Sequence, residues 1–231
     1  MPSTPSTNNT PSTNELVIIG APIALRDGSH IRIRQGHHTD RDLLLQGFER
    51  LSPNSRYRRF LAPMPELNES MVRYLTEIDH HDHEAMIALD EATGEGIGVA
   101  RYVRDPNQPH VAEIAVTVID DWQRRGVGTL LLEVISARAR EAGITTFTAL
   151  MLATNANMMD LLKQLGPLRI IDQEAGTVEI AVPIPPMGVS PALRKLIRIA
   201  AQHEIAVPPP HNHRMLRIPG RKRASQRPTD Q

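Results

Sequence analysis

The sequence predicts an α+β domain that spans about residues 25 to 185 of the 231-residue chain. Several short stretches alternate apolar and polar residues, as strands do, and longer stretches repeat apolar residues at the i, i+3, i+4, i+7 spacing of a helix. Near the middle of the chain a strand is followed directly by a helix, which is typical of domains that mix both element types. At roughly one domain per ~150 residues, the length allows this domain and two tails.

Sequence patterns predict one strand and three helices in the first part of the domain. Thr39 followed by Asp42 resembles a capping box, which satisfies free backbone N–H groups at a helix start. Ser52 and Pro53 offer an N-cap and a first helical position, where the missing proline N–H does no harm. These elements are the strand at 31–34 and the helices at 39–51, 53–60 and 68–78.

The second part of the domain is predicted to contain six strands and two helices. The helix from Val127 to Ala142 has the clearest apolar spacing in the chain, and Gly143 stands where a C-cap glycine is expected. A shorter helix begins at Asn155 and extends to residue 165, before a Gly-Pro pair. The predicted strands are 85–90, 97–103, 111–119, 145–152, 168–171 and 178–184.

The two ends of the chain are predicted to lie outside the domain, which is assigned to 25–185. Residues 1–24 are a disordered tail and lead-in, because the first 14 are almost all Ser, Thr, Pro and Asn. Residues 186–206 contain an amphipathic helix that would dock on the domain or on a partner. Residues 207–231 are a proline-rich, basic tail that is predicted to be disordered.

Composition excludes several classes of function. The chain has no cysteine, so disulfides, cysteine-bound metals and a thiol nucleophile are excluded. Its 26 basic and 26 acidic side chains balance, and only seven residues are aromatic, which argues against nucleic acid as the main partner. The apolar run at 16–25 is shorter than the ~20 residues of a membrane span. We therefore expect a cytoplasmic protein.

Residues 111–129 carry the clearest functional pattern. A strand leads through a glycine-containing turn into a helix start, where backbone N–H groups and the helix dipole favour an anion. Arg124 and Arg125 add positive charge. The spacing does not match a Walker A loop, and the glycines at 94–98 do not match a dinucleotide-binding fingerprint. The sequence therefore predicts a phosphate-bearing ligand at this helix start.

Residues 123–128 match Gln/Arg-x-x-Gly-x-Gly/Ala, the coenzyme A signature of GNAT acetyltransferases, at every specified position. Segments 51–60, 78–79, 112–115 and 151–155 resemble the GNAT domain of bacterial Pat-type protein lysine acetyltransferases, and the resemblance covers about residues 31–184. It implies the GNAT fold, a mixed and mostly antiparallel central sheet flanked by helices, with acetyl-CoA as co-substrate. A cyclic-nucleotide-binding domain precedes the GNAT domain in some relatives, and the segment before residue 31 is too short for one.

Glu113 is the candidate general base. A lysine amine, with a pKa of about 10.4, is neutral in only about one molecule in 2,500 at pH 7, a handicap of roughly 4.6 kcal/mol for attack on a thioester. A carboxylate whose pKa is raised by partial burial would help to remove the proton. The resemblance assigns this role to Glu113, directly or through water; a salt-bridged strand glutamate is the alternative. Alternation places Glu113 on one face with Ala115 and Thr117, opposite Ile114, Val116 and Val118.

The resemblance also assigns the contacts to coenzyme A. The strand backbone at Val116 and Val118 would pair with the pantetheine arm. Asn155 matches the family asparagine that bonds the pantetheine region, and it also suits a helix N-cap. Many GNAT enzymes have a tyrosine general acid seven residues later, where this chain has Leu162. The loop residues assigned to the pyrophosphate are Gln123, Arg124, Arg125, Gly126, Val127, Gly128 and Thr129.

Two polar clusters are interpreted as structural. His81 and His83 would project from the same side of an extended segment, but no further ligands complete a site, so no metal is predicted. Arg56, Arg58 and Arg59 could orient an acidic protein substrate, and ion pairs on a helix surface are the favoured interpretation.

The predicted function is transfer of an acetyl group from acetyl-CoA to an amine, directly in a ternary complex. The resemblance favours a protein lysine as acceptor, for example on an acyl-CoA synthetase. Two alternatives remain open. One is an acetyltransferase for a small-molecule amine, and the other is a CoA-sensing or interaction module without turnover. Neither a membrane nor nucleic acid is an expected partner, although the basic tail could add affinity for an acidic one.

Overall fold

The computed structural model describes residues 20–186. The predictions for residues 1–19 and 187–231, including the C-terminal helix, lie outside the described residues. The strands are β1 (Pro22–Ala24), β2 (His30–Gln35), β3 (His83–Asp90), β4 (Gly96–Asp105), β5 (Gln108–Val118), β6 (Thr146–Leu152), β7 (Arg169–Glu174) and β8 (Thr177–Pro183). The helices are α1 (Arg41–Glu49), α2 (Pro53–Phe60), α3 (Glu69–Thr76), α4 (Val127–Glu141) and α5 (Ala156–Leu162).

The eight described strands form one sheet in the order β1-β2-β3-β4-β5-β6-β8-β7. Neighbouring strands are antiparallel except for β5 and β6, which run parallel. The predicted mixed, mostly antiparallel sheet flanked by helices is therefore confirmed. The β5 and β6 strands pair only from Val111↔Thr146 to Glu113↔Thr148 and then separate. This separation opens the sheet in its interior, between two central strands.

Helix α4 covers one face of the sheet and connects the parallel strands β5 and β6, which cannot be joined by a tight turn. Its apolar side chains, among them Leu131, are buried in the core. Leu131 packs so closely on Gly98 of β4 that a Cβ there would lie 3.1 Å from it. The helix ends at Glu141 and Gly143 follows with a φ of +78°, as the predicted C-cap glycine requires.

Helices α1 and α3 lie against the opposite face. Val99 and Arg101 of β4, whose positions alternate with Gly98, line a cavity of about 110 Å³ together with residues of both helices. Helix α2 begins as predicted, with Pro53 as its first residue and the Ser52 hydroxyl accepting a hydrogen bond from the Ser55 N–H at 3.2 Å.

The start of α1 differs from the predicted capping box. The helix begins at Arg41, and Asp40 occupies the N-cap position without a side-chain bond to the helix. Both Asp40 carboxylate oxygens instead accept hydrogen bonds from the Arg34 guanidinium at 2.7 Å. A bidentate, charge-assisted pair is stronger than a neutral cap, so the chain turns where this pair forms. The predicted capping box of Thr39 and Asp42 is therefore wrong.

Other boundaries differ by a few residues. Strand β1 pairs with β2 through Pro22↔Arg32 to Ala24↔His30, so the domain begins before residue 25. A three-residue edge strand with a proline carries too little alternation to be recognised from sequence. Helices α3 and α5 end at Thr76 and Leu162, earlier than predicted.

Candidate active site

The separation of β5 from β6 leaves part of the β5 backbone without a neighbouring strand. The Ile119 N–H donates to the Ile97 carbonyl of β4 at 3.0 Å, so the alternating residues 113, 115 and 117 also direct their backbone groups to β4. The N–H and C=O groups of Val116 and the N–H of Val118 therefore point toward the gap, and the Val118 carbonyl accepts from the Gln123 amide. Among residues 20–186 no strand pairs with β5 on that side beyond Glu113. Such groups need a partner, so this edge is suited to bind an amide-bearing chain.

The gap is part of a cleft of about 540 Å³. One wall is β5 from Glu113 to Val118, and the other is β6 with helix α5. The loop before α4 closes one end, and Arg58 and Arg59 of α2 lie at the cleft as well. The predicted site residues that line it are Glu113, Val116, Val118, Gln123, Arg124, Gly126, Gly128, Thr129 and Asn155.

The loop that enters α4 presents free backbone N–H groups. Arg124 and Gly126 have positive φ angles of 58° and 96°, which turn the chain sharply into the helix. The first intrahelical bond runs from the Leu130 N–H to the Gly126 carbonyl at 3.1 Å. The N–H groups of residues 127–129 therefore lack an acceptor within the helix. Together with the helix dipole they favour a bound anion.

The two loop arginines point in different directions. Arg124 lines the cleft. Arg125 does not: it donates to Asp27 at 2.5 Å and to Ser29 at 2.9 Å, and its guanidinium lies 3.9 Å above the ring of the buried Trp122. The Arg125 side chain thus ties the loop to the turn between β1 and β2.

Other predicted residues also have structural partners. The Val127 side chain is buried in the core, so only its backbone is available at the helix start. The Gln123 amide donates to the Val118 carbonyl at 3.0 Å, which joins the loop to the free edge of β5. Asn155 lines the cleft and also caps α5, accepting from the Met158 N–H at 3.3 Å. Leu162 is fully buried.

A hydrogen-bonded cluster positions α2 against this loop. The Asp120 carboxylate accepts from the Ser52 N–H at 2.9 Å and from the hydroxyls of Ser52 and Ser55 at 2.8 and 2.9 Å. Burial alone would raise the pKa of Asp120, but these donors outweigh it and lower the pKa. Gln123 also donates to the Ser55 hydroxyl at 3.3 Å. The sequence analysis missed Asp120, whose role depends on a contact about 65 residues away along the chain.

Glu113 stands at the point where β5 and β6 separate. Its side chain shares one face of β5 with Ala115 and Thr117, as the alternation predicted. It lines the cleft and is exposed, so the expected partial burial is wrong. Glu113 is paired with Val103 of β4 and Thr148 of β6, and its side chain projects from the sheet into the open cleft.

The arginines of α2 do not form the favoured ion pairs. Arg56 donates to the carbonyls of Leu51 (3.0 Å) and Pro65 (2.7 Å), and within residues 20–186 none of the three arginines has a carboxylate within 4 Å. That interpretation is therefore wrong. Arg58 and Arg59 are directed to the cleft instead.

A buried arginine lies beside the candidate base and was missed by the sequence analysis. Arg101 of β4 is 6% exposed and lies under the ring of Tyr74, with its guanidinium carbon 5.2 Å from the ring centre. Burial and, to a smaller extent, the nearby Arg59 lower its pKa to about 10, although Tyr74 and Glu113 act in the opposite direction. The one sequence signal was a charged residue within an otherwise apolar strand.

Neither a metal nor a membrane site is found in the part of the chain that is described. Among residues 20–186 no three His, Cys, Asp or Glu side chains are grouped to hold a metal ion. His81 contacts Asp82, and His83 contacts Arg101. Between residues 20 and 186 no helix is both long and apolar enough to cross a membrane.

Comparison with known proteins gives consistent matches. Residues 51–166 match the model of the acetyltransferase (GNAT) family. The chain is 30% identical over 192 residues to acetyltransferase Pat of Mycolicibacterium smegmatis, covering 78% of this chain and 57% of that protein. It is 33% identical over 145 residues to acetyltransferase PA5475 of Pseudomonas aeruginosa, covering 62% and 77%. The chain thus spans little more than half of the first of these relatives.

Solved structures agree with the sequence matches. The GNAT domain of S. lividans PAT superposes with a TM-score of 0.64 at 34% identity, covering 71% of this chain and 96% of that domain. A cAMP-binding acyltransferase from Mycobacterium smegmatis superposes with a TM-score of 0.53 at 26% identity, covering 84% of this chain and 63% of that one.

Proposed function

This chain belongs to the GNAT acetyltransferase family, and on that premise we propose that it moves an acetyl group from acetyl-CoA to a lysine side chain of a protein. The observation that carries the proposal is the free edge of β5, which runs from Glu113 to the N–H groups at the start of α4. Coenzyme A has a pantetheine arm with amide groups, which a free strand edge can bind, and a pyrophosphate, which the N–H groups at a helix start can bind. The cleft of about 540 Å³ between them is lined by polar and apolar groups.

The residues present fit coenzyme A as a substrate. The N–H groups of residues 127–129, with Arg124 beside them, would bind the pyrophosphate. The backbone of Val116 and Val118 would pair with the amides of the pantetheine arm, and Asn155 would bond to the same arm. Arg125 supports the loop through Asp27 rather than contacting the phosphates.

Glu113 is assigned as the general base. It takes a proton from the lysine ammonium, directly or through one water, and the neutral amine attacks the thioester carbonyl. The new C–N bond forms as the C–S bond breaks, and the electron pair leaves with the CoA sulfur. The attacking nitrogen gives its second proton to water, which leaves the neutral amide. Its exposed position at the split puts the carboxylate where an incoming side chain can reach it.

The CoA thiolate can leave without a tyrosine to protonate it. Leu162, at the position where many GNAT enzymes have one, is fully buried and has no proton to give. A thiol pKa near 8.5 makes the thiolate a good leaving group, so it takes a proton from water after it leaves.

The test is Glu113→Gln, compared with Glu174→Gln on the far edge strand β7 as a matched control. We expect Glu113→Gln to lower kcat/KM for acetyl transfer by about 10² or more, with the affinity for acetyl-CoA unchanged. Full activity of Glu113→Gln would show that Glu113 is not the general base.

The acceptor is tested with labelled acetyl-CoA and a cell extract. Label in protein lysines is the expected result. Label in small molecules alone would contradict a lysine acceptor and indicate a small-molecule amine. If the protein binds CoA but transfers acetyl to no amine, a non-catalytic CoA-binding module is favoured.

A further inference from the structure

Arg101 and Glu113 are close neighbours on one face of the sheet. In the β4–β5 ladder Arg101 lies opposite Ala115 and Val103 lies opposite Glu113, so Arg101 and Glu113 are diagonal neighbours on one face. Diagonal neighbours are within reach of long side chains. A group bound to Arg101 would therefore lie beside the reacting amine.

The Arg101 guanidinium is buried without a carboxylate in direct contact. Its Nη2 donates to the Tyr74 carbonyl at 3.4 Å and contacts His83 Nε2, and no carboxylate among residues 20–186 lies within 4 Å. With a pKa of about 10 it remains a cation at pH 7. Burying an unpaired charge is costly, which makes such a group a candidate for binding a ligand of opposite sign.

A second cation lies close to the first. Arg59 of α2 lines both the cleft and the cavity of about 110 Å³ that Arg101 lines, and it also lacks a carboxylate within 4 Å in the described part of the chain. Burial lowers the pKa of Arg59, while Glu113 raises it. The two arginines and Glu113 together carry one excess positive charge.

The other polar groups around the cavity do not cancel this excess. Asp40 is already paired with Arg34 at 2.7 Å. Burial and Arg101 lower the pKa of His83 to about 4, so His83 is neutral at pH 7. Arg101 and Arg59, offset only by Glu113, therefore favour a bound anion, and Arg58 at the adjoining cleft adds to the positive charge.

We propose that Arg101 and Arg59 form a carboxylate-binding subsite, which selects acceptors bearing a carboxylate next to the amine that is acetylated. This rests on the proposed function, because it places the amine at Glu113. A guanidinium presents paired N–H donors that match a carboxylate. The carboxylate comes either from an acidic residue beside a protein lysine or from a small amino acid.

The first experiment measures binding without turnover. Two peptides carry a central acetyllysine, flanked by aspartates in one and by asparagines in the other, and their affinities are measured by calorimetry with CoA present. We expect the full chain to bind the aspartate peptide about tenfold more tightly, as loss of one charge-assisted contact implies. In Arg101→Met this preference should fall below about twofold.

Three further variants separate charge from folding. Arg101→Lys keeps the charge and should retain part of the preference, and Arg59→Met should reduce it. Arg169→Met removes an exposed arginine on β7 and should leave the preference unchanged. Equal binding of both peptides, no binding of either the aspartate peptide or 5-aminopentanoate, or a preference that survives in Arg101→Met would overturn the subsite.

A transfer assay identifies the source of the carboxylate. The same peptides with free lysine are compared with 5-aminopentanoate and its amide as small acceptors. A preference for the aspartate peptide alone indicates an acidic protein segment, and a preference for 5-aminopentanoate indicates a small amino acid. A binding preference without any transfer would contradict the proposed function and leave the subsite standing.

Discussion

At the residue scale, the anion-binding loop depends on one glycine. Gly126 has a φ of +96° at the N-cap of α4, and a Cβ there would meet no atom within 4 Å. An alanine would therefore fit sterically but strain the backbone, at about 1–2 kcal/mol. Relief of that strain would rotate the N–H groups at the helix start away from the cleft.

Gly126→Ala is accordingly expected to lower the free energy of unfolding by about 1–2 kcal/mol and to weaken CoA binding about tenfold. Gly94→Ala is the matched control, because Gly94 has a similar φ of +73° and the same open surroundings in the β3–β4 turn. Denaturant unfolding and calorimetry measure the two effects. A CoA affinity that falls equally in both variants would show that the loss is not local to the loop.

The loop arginines show what sequence can and cannot tell at this scale. The spacing of Gln123, Gly126 and Gly128 predicted the helix start, and these three residues line the cleft. Arg124 and Arg125 look equivalent in sequence, yet only Arg124 faces the cleft. The partner that diverts Arg125 is Asp27, which lies 98 positions away along the chain. Side-chain direction depends on such distant partners and has no local pattern.

At the element scale, the split between β5 and β6 predicts an alternating pattern of amide exchange. In the protein without ligand, the N–H groups of Val116 and Val118 face the gap, while those of Ala115 and Thr117 are directed to β4. The first pair should exchange with solvent quickly and the second slowly, because exchange requires the hydrogen bond to open.

Acetyl-CoA should slow exchange at Val116 and Val118 and leave Ala115 and Thr117 almost unchanged. Hydrogen exchange followed by NMR resolves these single residues. Ile180 of β8, which is bonded within the sheet and buried, serves as a reference that should not change. Protection of all four residues alike would mean that ligand stabilises the whole strand, and would contradict pairing of the ligand with the free edge.

The elements themselves could be predicted to within a few residues where local pattern determines them. Helix α4 was predicted from its spacing and its C-cap glycine, and α2 from Ser52 and Pro53. The start of α1 could not be predicted, because the Arg34–Asp40 pair outweighs the local capping signal. The split between β5 and β6, and the position of Arg101 beside Glu113, depend on strand register, which contacts between distant segments determine.

At the scale of the whole molecule, charge is balanced in sum but not at the site. The chain carries 26 basic and 26 acidic side chains, and four of the ion pairs among residues 20–186 join two exposed side chains. Arg58, Arg59 and Arg124 line one cleft, with Arg101 in the adjoining cavity. The positive field is thus concentrated where an anionic thioester and an anionic acceptor would meet.

The absence of cysteine from the whole chain predicts the kinetic order of the reaction. No thiol of the protein can take the acetyl group from CoA, so we expect the amine to attack the thioester while both substrates are bound. Double-reciprocal plots at several acceptor concentrations should intersect, as sequential mechanisms require.

The protein should also fail to store a transferable acetyl group when it is incubated with acetyl-CoA alone. Mass spectrometry tests this, because an acetylated protein that passes its acetyl to an acceptor after acetyl-CoA is removed would demand a protein nucleophile. Parallel lines together with such an intermediate would reject direct transfer, and would do so independently of which residue acts as the base.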